Sequence, residues 1–172
     1  MPEPMDDHPR LSRSSLWSTQ RQFYDEQGSP AFTSGAVPSH ITTSAAIATA
    51  YARVIRGLQQ DCLRLGDPRA PLYVVELGAG SARLAWRLLG ALDAFEQVAP
   101  TRGPPVRFIL TDVAASNLHA SMAHPLLQPL IASGRIDFAL RDASARGPLE
   151  LLSSGERIVP GTLRNPLVVV GY

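Results

Sequence analysis

The stretch that most constrains this chain is Leu72–Leu92, LYVVELGAGSARLAWRLLGAL. Tyr73, Val74 and Val75 are strand formers with no charge between them, and they lead into Glu76 and a turn punctuated by Gly78 and Gly80. Such a run suits a strand buried on both faces, as parallel strands are. Beyond the turn, Leu84, Leu88, Leu89, Leu92 and Phe95 recur at helical spacing, so one apolar helix face is expected against a sheet. A strand–turn–helix of this kind presents backbone N–H groups and the positive end of the helix dipole to an anionic ligand group. The turn is therefore the candidate cofactor site.

The remaining segments fit around this unit. Residues 1–15 carry little to bury and read as a mobile tail. Leu16, Trp17, Phe23 and Tyr24 mark a short aromatic helix in an extension over 16–41, which continues through a turn-rich connector holding Gly28, Pro30, Gly35 and Pro38. That extension, with Phe32 and the SGAVPSH run, can fold over the cofactor as a lid or simply dock on the body. A long helix follows: Thr42, Thr43 or Ser44 can cap it, Ile47, Tyr51, Val54, Ile55, Leu58 and Cys62 share a stripe, and Gly66, Asp67 and Pro68 stop it. After the central unit come a proline-rich loop, a second strand Val106–Leu110 ending at Asp112, helices over 114–123 and 125–133, and a third strand Ile136–Leu140. Gly147–Ser154 reads as mixed turn and short helix, and LVVVGY from Leu167 begins a fourth strand. Alternating strands and helices predict an α/β fold with a parallel sheet, helices on both faces and right-handed crossovers.

Bulk properties exclude several classes of function. The chain has 172 residues, enough for one domain with a real core. At 45% hydrophobic and 18% charged it is globular rather than disordered, and a formal net charge of +1 gives no general attraction to nucleic acid or an anionic membrane. No secretory signal or membrane-length apolar run is visible, so the expected location is cytoplasmic. The single Cys62 rules out an internal disulfide and a Cys-only zinc site, and at helical spacing after Leu58 it reads as an inert thiol. His8, His40, His119 and His124 form no metal-binding pair with carboxylates at helical spacing, and no metal site is expected.

The turn residues separate two cofactor classes. The dinucleotide fingerprint needs Gly or Ala at its third small position, which here is Arg83, so a nicotinamide dinucleotide is disfavoured. Read from the acid, Glu76–Ala82 gives E-x-G-x-G-x-A, which resembles the first motif of class I S-adenosylmethionine-dependent methyltransferases, with Ala82 in place of the usual final Gly. Asp112 closes the second strand, where a carboxylate can accept from both ribose hydroxyls, and Asp142 follows the third. In a parallel sheet those ends lie side by side at the ligand crevice. The resemblance spans residues 42–172. It implies a Rossmann-like three-layer fold in which Glu76 meets the methionine amino group, Gly78, Ala79 and Gly80 approach the methionyl part, Asp112 holds the ribose, and Asp142 with Ala143 sits at the adenine. At finer grain, ELGAG, the TD after strand two and NPLVVVGY are similar to a branch that includes protein-arginine methyltransferases of the MidA type.

That fold has seven strands in the family, and four are counted here. The expectation is thus an N-terminal portion of a longer methyltransferase, its strand-four edge covered by a missing half or by another copy, with the methyl acceptor unidentified. A different class remains open: a non-catalytic Rossmann-like module with a vestigial pocket.

Overall fold

The computed structural model describes residues 10–27, 41–100 and 103–171. The first part of the expected tail, the connector with Phe32 and His40, and Tyr172 lie outside the described residues. A 3₁₀ turn, Leu11–Arg13, precedes helix α1 (Leu16–Gln27). Helix α2 (Ala45–Leu65) starts at Ser44, whose hydroxyl accepts the Ile47 N–H at 3.3 Å. Of the three residues able to cap it, the last is the one placed to do so.

The sheet contains β1 (Leu72–Leu77), β2 (Val106–Asp112), β3 (Ile136–Leu140) and, late in the chain, a strand at Val168–Gly171. Helix α3 (Arg83–Val98) connects β1 to β2, while α4 (Ala115–Met122) and α5 (Gln128–Ala132) connect β2 to β3. A two-stranded antiparallel pair, β4 (Leu149–Glu150) and β5 (Arg157–Ile158), lies between β3 and the last strand, β6. The four long strands are parallel in the order β3-β2-β1-β6, so successive strands step one way from β1 and the last steps to its other side. This is the parallel α/β sheet of a Rossmann-like fold, with its reversal of strand order between β1 and β6.

Strand alternation divides the core. Leu72, Val74, Phe108, Leu110, Ile136, Phe138 and Val170 face the layer of helices, packing with Ala52, Ile55, Leu84, Leu88, Leu89 and Leu118. Tyr73, Val75, Ile109 and Ala139 face the other way and pack with Leu151 and Ile158 of the small hairpin. Gly147–Ser154 therefore departs from the expected turn and short helix: its Leu149–Glu150 is a strand. The reason is Asp137. Its buried carboxylate accepts the backbone N–H groups of Ser153 and Ser154 at 2.9 and 3.1 Å, folding the segment back over the sheet.

The apolar stripe of α2 is also rotated from the one expected. Ala48, Ala52, Ile55, Gln59 and Cys62 are its buried positions, whereas Val54 is 68% exposed. Small alanines let α2 lie close to α3, so the contact selects Ala over the bulkier Val. Cys62 is 3% exposed, and burial, aided by the neighbouring Asp61 charge, raises its thiol pKa, which makes it inert.

Candidate functional site

The site grows from the C-terminal ends of the central strands. Glu76 shares the helix-facing side of β1 with Leu72 and Val74, which carries its carboxyl beneath the start of α3. There the Ala85 N–H donates to it. Ala85 is the third residue of α3, one of the positions whose N–H has no partner within a helix, and Ala82 at the N-cap has no side-chain oxygen to offer. Glu76 supplies the cap from the strand below. Its other oxygen, Oε2, is buried without a hydrogen-bond partner. Burial, opposed by the Ala85 N–H and reinforced by the charge of Asp112, pushes the Glu76 pKa up to about 8.

The glycine turn crosses over this acid. Gly78, Gly80 and Ala82 have φ of 66°, 51° and 55°. A Cβ at Gly78 would meet nothing within 4 Å, so backbone conformation alone calls for glycine there. Ala82 is the exception: an L-residue holding the left-handed conformation while 1% exposed. The turn is stitched to β2. The Ala79 N–H donates to the Thr111 carbonyl at 2.9 Å, and the Thr111 hydroxyl donates to the Glu76 carbonyl at 2.8 Å. The Gly80 N–H donates to Asp112 Oδ2 at 3.0 Å, and Asp112 Oδ1 accepts the Ala114 N–H at 2.9 Å. From α4, the Ser121 hydroxyl reaches the Gly80 carbonyl at 3.4 Å. Each Asp112 oxygen thus spends one lone pair on the backbone and retains another for a hydroxyl donor.

The third acid stands apart. The Arg141 N–H donates to the Asp112 carbonyl at 2.9 Å, which carries the β2–β3 pairing past the sheet and sets Asp142 at its rim. Asp142 Oδ1 accepts the Ser144 hydroxyl and N–H at 2.7 and 2.9 Å, and Oδ2 pairs with Arg21 of α1 at 2.8 Å. The Ser144 hydroxyl and N–H, with Arg21 beyond them, hold this carboxyl below its ordinary pKa. Ala143 beside it is exposed. The structure therefore gathers Glu76, Ala79, Gly80 and Asp112 into one bonded cluster, with Gly78 exposed at its lip. Asp142 and Ala143 remain on the outer rim, tied to the N-terminal helix. Phe23 and Tyr24 of that helix stack edge-to-face at 5.5 Å.

Two residues of this cluster were not singled out in the sequence: Asn117 and Ser121. A signal existed for both. Asn117 and Ser121 are four apart and interrupt the face of α4 that buries Ala114 and Leu118, so they are polar where periodicity asks for apolar.

Two grooves lie elsewhere. One of about 580 Å³ runs between α2, α3 and α5, past Thr49, Trp86 and Leu130; another of about 280 Å³ lies by Gln59, Gly103 and Pro104. Neither is lined by the strand-end acids. Among the described residues no three His, Cys, Asp or Glu side chains gather as metal ligands, and no helix is long and apolar enough to cross a membrane. Compared with known proteins, the chain matches no family model, no curated protein and no solved structure.

Proposed function

We propose that this chain binds S-adenosylmethionine across the ends of β1, β2 and β3 and belongs to a methyltransferase whose acceptor is unidentified. The observation that carries the reading is the Gly80–Asp112 clasp at 3.0 Å, beside the reversal of strand order between β1 and β6. It fixes a left-handed glycine turn against a carboxylate that still has capacity for ribose hydroxyls. Glu76, buried with one oxygen unpaired, supports a cationic amine as the neighbouring ligand group. Asp142 would meet the adenine at the rim. A sulfonium methyl is already activated, so the protein's part is to align donor and acceptor and keep water away, with no acid–base group required.

A second reading, a non-catalytic module with a vestigial pocket, is favoured by two observations. Ala82 stands in the left-handed position where the resembling family has glycine, and Asp142 already has Arg21 as partner. Titration calorimetry with S-adenosylhomocysteine and with NAD separates these readings. The cofactor reading expects saturable binding of the first and none of the second. Absence of S-adenosylhomocysteine binding leaves the module, and NAD binding in its place overturns the choice of cofactor.

A further inference from the structure

Asn117 is 1% exposed, and its Oδ1 has no hydrogen-bond partner in the protein. Leaving such an acceptor unpaired is unfavourable, and nothing in the packing of α4 asks for it, since Leu118 and Ala114 already supply the apolar contact. Its place is specific. The Asn117 N–H donates to the Ala114 carbonyl at 3.2 Å, and the Ala114 N–H is held by Asp112. One turn further along, on the same face, Ser121 reaches the Gly80 carbonyl. Asn117 therefore shares its face of α4 with the residue that meets the glycine turn. Glu76 Oε2 is buried without a partner in the same cluster, brought there by β1. The two unpaired acceptors thus come from β1 and α4, the strand that leads into the glycine turn and the helix bonded to it through Ser121.

We infer that Asn117 is a specificity-determining residue of this crevice, which with Glu76 reads a hydrogen-bond donor on the ligand, the ammonium of its amino-acid end. This deepens the cofactor reading above and rests on it. A ligand lacking the donor leaves the unpaired Asn117 and Glu76 oxygens buried without a partner, and is disfavoured on that ground. The adenosine end, held by Asp112 and the rim, does not depend on Asn117.

The test compares S-adenosylhomocysteine with 5′-methylthioadenosine, which keeps the adenosine and sulfur but has no amino-acid end. Calorimetry is run on the full chain, on Asn117→Leu and on Asn117→Asp. Asn117→Leu should weaken S-adenosylhomocysteine by about tenfold or more, the loss of one buried hydrogen bond to a charged group, and shift methylthioadenosine less than twofold. Asn117→Asp, which keeps the acceptor, should retain S-adenosylhomocysteine within a few-fold. The melting temperature supplies a readout independent of ligand. Removing an unpaired buried polar group should raise that of Asn117→Leu, by about 2–4 °C for each kcal/mol gained. Equal weakening of both ligands, weakening of neither, or a lowered melting temperature overturns the inference. If the unaltered chain binds methylthioadenosine but not S-adenosylhomocysteine, the ammonium site fails while the adenosine site stands. If it binds neither, the cofactor reading itself fails and takes this inference with it.

Discussion

At the scale of the residue, Ala82 shows how position changes the meaning of a substitution. In the sequence it is a small departure from the final glycine of the motif it resembles. In the structure its side chain matters less than its φ of 55°, a conformation costing an L-residue roughly 1 kcal/mol. Ala82→Gly relieves that strain but gains entropy in the unfolded chain, so a net stabilisation of about 0.5 kcal/mol is expected in urea unfolding. A destabilised variant would mean that the buried methyl outweighs the strain. Glu76 gives a pH prediction. Its folded pKa, about 8, lies above the value of 4.5 for a free glutamate. The stability associated with its neutral form is complete below about pH 4.5 and is lost as pH rises through 8, because the unfolded chain ionises first. The loss amounts to several kcal/mol, because moving a pKa by one pH unit is worth about 1.4 kcal/mol. Glu76→Gln keeps an acceptor for Ala85 and cannot ionise. Its urea midpoint should therefore decline less than that of the unaltered chain between pH 5 and pH 8; parallel curves would disprove the buried-acid account.

At the scale of the element, the small hairpin is organised by a charge from the sheet it covers. Asp137 is buried, which by itself would raise its pKa, yet the Ser154 hydroxyl and the N–H groups of Ser153, Phe138 and Ser154 hold it below the ordinary range. On the same face Arg107 lies over the Tyr73 ring at 5.5 Å, pairs with Glu156 at 2.7 Å and stands 4.0 Å from Asp137. Asp137→Ala leaves those donors without their acceptor and takes one of two carboxylates from Arg107, which keeps Glu156, and a loss of roughly 2–4 kcal/mol is expected in denaturant unfolding. The depressed pKa sets the direction with acid: Asp137 contributes stability above about pH 4, lost as pH falls through its folded value. The variant should lack that part of the acid sensitivity. A hairpin that stays protected from hydrogen exchange in Asp137→Ala would show that Leu151 and Ile158 hold it without the carboxylate.

At the scale of the molecule, the two ends of the sheet do different work. The glycine turn, Asp112 and Asp142 occupy the C-terminal ends of the strands, while the opposite end is fastened by Asn165. The Asn165 amide donates to the carbonyls of Asp67 and Ala70 at 2.8 Å each and accepts the Asp67 N–H at 2.9 Å, joining the segment before β6 to the one before β1. A Cβ on Gly66 would come within 2.5 Å of Asn165 Oδ1, so Gly66 is there for this approach as well as to stop α2. Asn165→Ala should cost about 1–3 kcal/mol in unfolding free energy and leave ligand affinity at the far end unchanged. Affinity falling in step would show that the two ends are coupled through β6. The sheet's edges differ too: the Leu152 N–H donates to the Phe138 carbonyl beside β3, whereas β6 pairs with no further strand among the described residues.

The parallel sheet and the glycine turn were legible in the chain, because strand runs, helical periodicity and left-handed glycines are local properties. The sequence also marked Glu76, Asp112 and Asp142 as strand-end acids. What each acid touches depends on long-range packing: Glu76 caps α3, Asp112 clasps Gly80, and Asp142 pairs with Arg21. The hairpin over Asp137 and the burial of Asn117 were settled at the same level. Those outcomes depend on donors from residues up to 121 positions away, and a hydrogen bond between distant segments leaves no period in the sequence.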